Sequence, residues 1–137
     1  MKRILIAFQF LTIIPIRVGG RLSENDISLS AVFFPLVGFI QGAVLAAISF
    51  FCLKVFSPAV TSVLVIAVYL LSNGAFHQDG LSDTVDALSV KSTGDTKKDR
   101  AKRLAVMRDP TAGPIGVVAI VINLLLKFVL LNEVLKA

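Results

Sequence analysis

A chain of 137 residues has room for one domain, and this one is 55% hydrophobic with a mean hydropathy of +0.84. Its apolar residues fall in blocks long enough to cross a bilayer, which excludes a soluble globule and reads as a membrane protein. The net charge of +5 sits in short polar segments, while the aromatics, ten Phe and one Tyr, lie in the apolar blocks and are not interleaved with the basic run, which disfavours a base-stacking nucleic-acid surface.

In chain order, Lys2 and Arg3 precede an apolar stretch from Ile4 to Ile16. Thirteen residues are too few to span, and Pro15-Ile16-Arg17-Val18 is a poor cleavage site, so an interfacial helix ending before Pro15 is predicted. A polar loop from Arg17 to Asn25 follows, with Ser23 to Asp26 placed to cap the next helix. From Ile27 to Leu53 there is no charge, which predicts the first span. Gly38 and Gly42 inside it are spaced for close approach of a neighbouring helix, or are simply tolerated in a membrane helix. The single Cys52 has no partner for an internal disulfide and reads as inert packing.

Lys54 to Pro58 reads as a tight turn with Lys54 reaching to the interface, and Ala59 to Phe76 as the second span. The polar segment from His77 to Asp109 ends in a basic helix beginning after Asp95 or Thr96 and running to Arg108. Pro114 suits the first turn of a third span, from about Ile115 to Leu131 or beyond, with Lys127 well inside it. The expected fold is an all-α polytopic membrane helical bundle with about three spanning helices, an N-terminal interfacial helix and a cytoplasmic amphipathic helix. Lys2, Arg3, Arg17 and Arg21 lie on one side with Lys91, Lys97, Lys98, Arg100, Lys102, Arg103 and Arg108, against Lys54 and Lys136 on the other. That bias turns the N-terminus and the polar segment toward the cytoplasm.

The polar segment holds the chemistry. Asp79, Asp83 and Asp86 are three of nine carboxylates, and on a helix they project within about 60° of one another. No Lys or Arg lies three or four residues from any of them, so their repulsion asks for a cation. Mg²⁺ is held by one or two carboxylates plus substrate phosphates, and three carboxylates suit one ion or two. Gly80 lets a phosphate approach the backbone, Arg103 and Arg108 suit the remaining phosphate charge, and Gly113 to Gly116 at a helix start offer N–H groups to an anion. Together these describe transfer of a phosphate-containing group from an activated diphosphate at a membrane face. A solvated loop behind a helix cap is the plainer alternative for the same residues.

His77-Gln78-Asp79-Gly80-Leu81-Ser82-Asp83-Thr84-Val85-Asp86 resembles the H-x-D-G-L-A-D-x-x-D-G signature of the cobalamin synthase (adenosylcobinamide-GDP ribazoletransferase) family. Phe10-Leu11-Thr12-Ile13-Ile14-Pro15, Phe34-Pro35-Leu36-Val37-Gly38 and Val106-Met107-Arg108-Asp109-Pro110 with Gly113 and Gly116 resemble three further motifs of that family, in order along the chain. Ser82 stands where the family has Ala, Ala87 where it has Gly, and members continue with more helices, so residues 1–137 are expected to be the N-terminal part of a longer membrane domain.

The resemblance implies a Mg²⁺-dependent enzyme of the cytoplasmic (inner) membrane. It would join adenosylcobinamide-GDP to α-ribazole or α-ribazole 5′-phosphate and release GMP. It implies Asp79, Asp83 and Asp86 as metal ligands and His77, Arg108 and Asp109 on the substrate side. Asp83 and Asp86 are the expected catalytic residues, and Arg103, Gly113 and Gly116, suited to phosphate, are expected to bind substrate with them. The expected partners are the corrinoid nucleotide, the ribazole and the bilayer, with a homo-oligomer left open. A membrane prenyltransferase using Mg-diphosphate and a non-enzymatic membrane subunit are the alternatives. Against the first, Gln78 replaces Asn before Asp79 and the last aspartate spacing is one residue short.

Overall fold

The computed structural model describes residues 2–16, 18, 19 and 23–137. Arg17 and Arg21, two of the charges behind the expected orientation, lie outside them, as does Gly20 of the predicted loop. Among the described residues seven α-helices follow one another: α1 Lys2–Leu11, α2 Glu24–Ser30, α3 Phe34–Cys52, α4 Pro58–Ser72, α5 Phe76–Ser89, α6 Thr96–Val106 and α7 Pro114–Lys136. A short 3-10 turn, Ala31–Phe33, joins α2 to α3, and there is no strand among the described residues. Asn25–Cys52 and Pro114–Lys136 are each long and apolar enough to cross a membrane. Their large side chains are widely exposed, Phe39 by 75% and Val134 by 70%, as lipid-facing surface should be. The expected all-helical membrane architecture is therefore present.

The second span differs from its prediction. The apolar run from Ala59 to Phe76 is not one helix, because α4 stops at Ser72. Gly74 and Ala75 take left-handed φ values of 60° and 56°. The Ala75 amide donates to the Leu70 carbonyl (2.9 Å) and the Gly74 amide to that of Leu71 (3.3 Å). This is a Schellman stop, which satisfies carbonyls that the helix end would orphan. Ala75 does this against its preference, at a cost of about 1–2 kcal/mol. Fifteen residues reach only about 22 Å, short of a hydrocarbon core of about 30 Å. Only taken with α5 does this segment qualify as a third candidate span.

The chain divides into two compact units, Met1–Ala75 with Leu131–Ala137, and Phe76–Leu130. In the first, Ser23 caps α2 in a capping box with Asp26, as its sequence position suggests, and Lys2 pairs with Asp26 at 3.4 Å. Phe10 of α1 stacks on Phe34 of α3, with centroids 5.6 Å apart, so the first two family-like motifs meet. The chain after α1 is tied to the end of α4 by the Ile13 amide donating to the Ser72 carbonyl at 2.9 Å. α3 and α4 pack together, and the buried residues are Val37 and Ser49 on α3 and Thr61, Ser62 and Val65 on α4. Among the described residues no helix packs closely on Gly38 or Gly42. A Cβ at either would meet nothing within 4 Å among the described residues, which favours the reading that they are tolerated. Lys54 lies over the Phe50 ring at 4.7 Å, its ammonium held at the turn between α3 and α4.

Candidate functional site

Every sequence-predicted site residue lies in the second unit. Helix α5 carries the three aspartates, and its buried residues are Gln78, Ser82, Asp86 and Ala87. Burial thus divides the carboxylates. Asp79 in the first turn is exposed, Asp83 is half-buried, and Asp86 is buried at 8% exposure. A buried carboxylate must be paired or well hydrogen-bonded to remain charged. Asp86 meets that need at the start of α7, where Oδ2 accepts from the Gly113 amide (2.8 Å) and Oδ1 from the Gly116 amide (2.8 Å).

The local chemistry explains the arrangement. Gly113 is the N-cap of α7, since its carbonyl accepts the first intrahelical bond from Val117 at 3.0 Å. Pro114 follows at the first helical position, where its missing N–H costs nothing. An N-cap side chain ordinarily takes the amide of the third helical residue, and that residue's side chain takes the N-cap amide. Here both positions are glycine, and Asp86 performs both functions from 27 and 30 residues away. Side chains at the glycines would occupy its place. A Cβ on Gly113 would lie 2.6 Å from the Asp86 carboxyl carbon. One on Gly116 would overlap the same carboxylate and the Ser82 hydroxyl, and approach the Ser82 carbonyl to 2.8 Å. Each charge-assisted bond contributes about 1.5–3 kcal/mol, and the positive end of the α7 dipole adds to it.

Among the described residues no group of three or more His, Cys, Asp or Glu side chains is gathered closely enough to hold a metal ion. Asp79 and Asp83 stand one turn apart, and neither carboxylate makes a hydrogen bond or ion pair with a described residue. That donor set fits an ion that keeps several waters and is completed by substrate phosphates. It does not resemble an all-protein cage.

The basic segment is stitched by its own acids. Asp95 caps α6 through the amides of Lys97 (3.0 Å) and Lys98 (3.3 Å). Asp99 accepts from the Ser92 hydroxyl and from the Thr93 hydroxyl (2.7 Å) and amide (2.8 Å), closing the loop ahead of α6. These bonds, with Arg103 nearby, pull its pKa from 3.8 to about 2. Because the folded value is the lower one, the tie is intact above pH about 4 and is lost as pH falls through 3.8 toward 2. Asp99→Asn should therefore hasten tryptic cleavage after Lys91 and Lys97 severalfold at neutral pH. Cleavage at the wild-type rate would show that the loop is held by something else.

Arg103 is half-buried, with its Nε without a hydrogen-bond partner among the described residues, whereas Arg108 is exposed beyond the end of α6. Asp109 turns the chain toward α7, accepting from the Thr111 hydroxyl (2.6 Å) and amide (2.9 Å), and these bonds lower its pKa. His77 is exposed, edge-on to Phe76. The structure thus brings Asp86, Gly113 and Gly116 together and gives Asp109 a turn-forming bond. The residues that sequence reasoning missed are Ser92 and Thr93, and the pairing of Asp86 with the glycines. A glycine N-cap before Pro114, with a second glycine three residues on, signals a helix start that lacks its own acceptor and needs one from elsewhere.

A family profile described as cobalamin-5-phosphate synthase matches residues 3–137. Curated relatives named adenosylcobinamide-GDP ribazoletransferase include that of Thermodesulfovibrio yellowstonii, 37% identical over 133 residues (97% of this chain, 51% of the relative). That of Acetivibrio thermocellus is 34% identical over 134 residues (98% and 52%), and that of Stutzerimonas stutzeri 39% over 137 residues (100% and 54%). The chain spans about half the length of the curated relatives it matches. No solved structure matches it significantly.

Proposed function

This chain belongs to the cobalamin-5-phosphate synthase family, and we propose on that footing that α5 carries the diphosphate-binding face of a membrane ribazoletransferase. The substrates are adenosylcobinamide-GDP and α-ribazole or its 5′-phosphate, and the products are adenosylcobalamin or its 5′-phosphate and GMP. The observation that carries this reading is the pair Asp79 and Asp83, one helical turn apart and without partners among the described residues. Asp79 and Asp83 would hold Mg²⁺. Bound there, the ion would neutralise diphosphate charge and stabilise the leaving phosphate oxygen.

The chain's own residues account for the rest. A ribazole hydroxyl attacks the phosphorus that stays with cobinamide. The phosphoanhydride bond to GMP breaks, and the hydroxyl proton is taken at the Asp79–Asp83 face. Arg108, exposed and without a side-chain partner among the described residues, is suited to the phosphate charge of the nucleotide. Arg103 and His77 are substrate-side residues of the same unit. The basic residues from Lys91 to Arg108 support a cytoplasmic position for this face, where nucleotides are available.

Mixing adenosylcobinamide-GDP and α-ribazole with membranes containing the full protein tests the reaction. Corrinoid product and GMP should appear in equal amounts; GMP formed without corrinoid product would mean hydrolysis instead of transfer.

Gly80 gives a second check. A Cβ there would meet nothing within 4 Å, so Gly80→Ala should raise stability by up to about 1 kcal/mol. If a phosphate approaches that backbone, the same variant should raise KM for the nucleotide severalfold. Thermal unfolding in detergent and steady-state kinetics separate the two effects, and an unchanged KM would remove Gly80 from the phosphate path.

A further inference from the structure

We infer that the aspartate triad is functionally divided, with Asp86 a positioning residue that locks α5 to the start of α7 and Asp79 and Asp83 the metal-facing pair. The inference rests on the metal–diphosphate reading above for the second half of that division only.

Three observations support it. Both oxygens of the buried Asp86 carboxylate are already engaged, each at 2.8 Å by a backbone amide of Gly113 or Gly116. An oxygen coordinating a cation would have to share or abandon a charge-assisted hydrogen bond. The glycines themselves are matched to that carboxylate, since a Cβ on either would overlap it. The burial gradient along α5, from exposed Asp79 through half-buried Asp83 to buried Asp86, leaves only the first two open to a ligand.

One consequence concerns the glycine amides. They form an anion site that is filled from within the chain, so the nucleotide's phosphates are bound elsewhere and fall to the arginines. A second concerns Asp83. It lies three residues before Asp86 on the same helix, so fixing Asp86 against two amides fixes the rotation of α5 about its axis. That rotation sets which way the Asp79–Asp83 pair faces, whereas the spacing of the pair is set within α5 and survives the loss of Asp86. Asp86 therefore acts through them without touching substrate.

The test compares Asp79→Asn, Asp83→Asn and Asp86→Asn in the full protein in detergent micelles, with Mn²⁺ and GDP as probes. Mn²⁺ binding in the presence of GDP, followed by electron paramagnetic resonance, should weaken at least about tenfold in the first two variants. It should change less than about threefold in Asp86→Asn. Hydrogen exchange at the Gly113 and Gly116 amides should be slow in wild type and in Asp83→Asn, and fast in Asp86→Asn. In turnover, Asp86→Asn should lower kcat per folded molecule, the folded fraction being measured by thermal unfolding in the same detergent, while leaving the Mg²⁺ concentration for half-maximal rate unchanged. A rate lost only in proportion to the folded fraction would mark a merely structural role and overturn the assignment. If Asp86→Asn does not fold, Asp86→Glu, which keeps the charge on a longer arm, is measured in the same way.

Loss of Mn²⁺ affinity in Asp86→Asn equal to that in Asp83→Asn, with the glycine amides still protected, would overturn the assignment. Wild-type protein that binds no Mn²⁺ would instead remove the metal reading, while the exchange data would still decide whether Asp86 is the cap.

Discussion

Gly116→Ala is expected to destabilise the protein by about 2–4 kcal/mol, although alanine is ordinarily the better helix residue. The reason is local. The added methyl would enter the space held by the Asp86 carboxylate, the Ser82 hydroxyl and the Ser82 carbonyl. α5 would have to move away, and that movement would stretch or break the bonds from Gly113 and Gly116. A buried carboxylate left without its donors is among the costliest defects a fold can carry. Gly80→Ala on α5 is the matched control, since its Cβ enters open space and its effect should have the opposite sign. Thermal unfolding of the two variants side by side, in one detergent, measures the difference. Equal midpoints would mean that α5 and α7 do not meet through Asp86.

Asp83→Asn is expected to lower the rate of transfer by on the order of 10²-fold or more. The side chain keeps its size but loses its charge, and a neutral amide is a poor ligand for a hard cation that prefers anionic oxygen. Because the Asp83 carboxylate makes no hydrogen bond or ion pair with a described residue, neutralising it leaves no orphaned partner. Stability should therefore change by less than about 0.5 kcal/mol. The combination of intact folding and lost turnover distinguishes a ligand from a structural residue. Asp86→Asn should combine lost turnover with reduced stability.

The long apolar runs were legible because a stretch such as Ile27 to Leu53, with no charge, has few alternatives to a membrane helix. The Ser23 cap was legible because a capping box is local, with both partners within four residues. The end of α4 was not. Hydropathy runs on to Phe76, whereas the stop depends on Gly74 and Ala75 adopting left-handed backbone. Asn73-Gly74 hints at that, but nothing in the apolar pattern does. At the site, periodicity placed Asp79, Asp83 and Asp86 on one face of α5. It could not say that the far side of that face is covered by the start of α7, because that contact joins residues 27 and 30 positions apart. The sequence has Gly113 to Gly116 at a helix start offering N–H groups to an anion, and the anion that the structure shows there is Asp86.

The claim on which the account turns is that the open carboxylates of α5 serve a diphosphate-cleaving transfer. GMP release from adenosylcobinamide-GDP, with α-ribazole and Mg²⁺ supplied, measures it directly in wild-type full protein and in Asp83→Asn. The account predicts release from the wild type and its near-complete loss in the variant, with both proteins equally folded. Undiminished release from Asp83→Asn would contradict it.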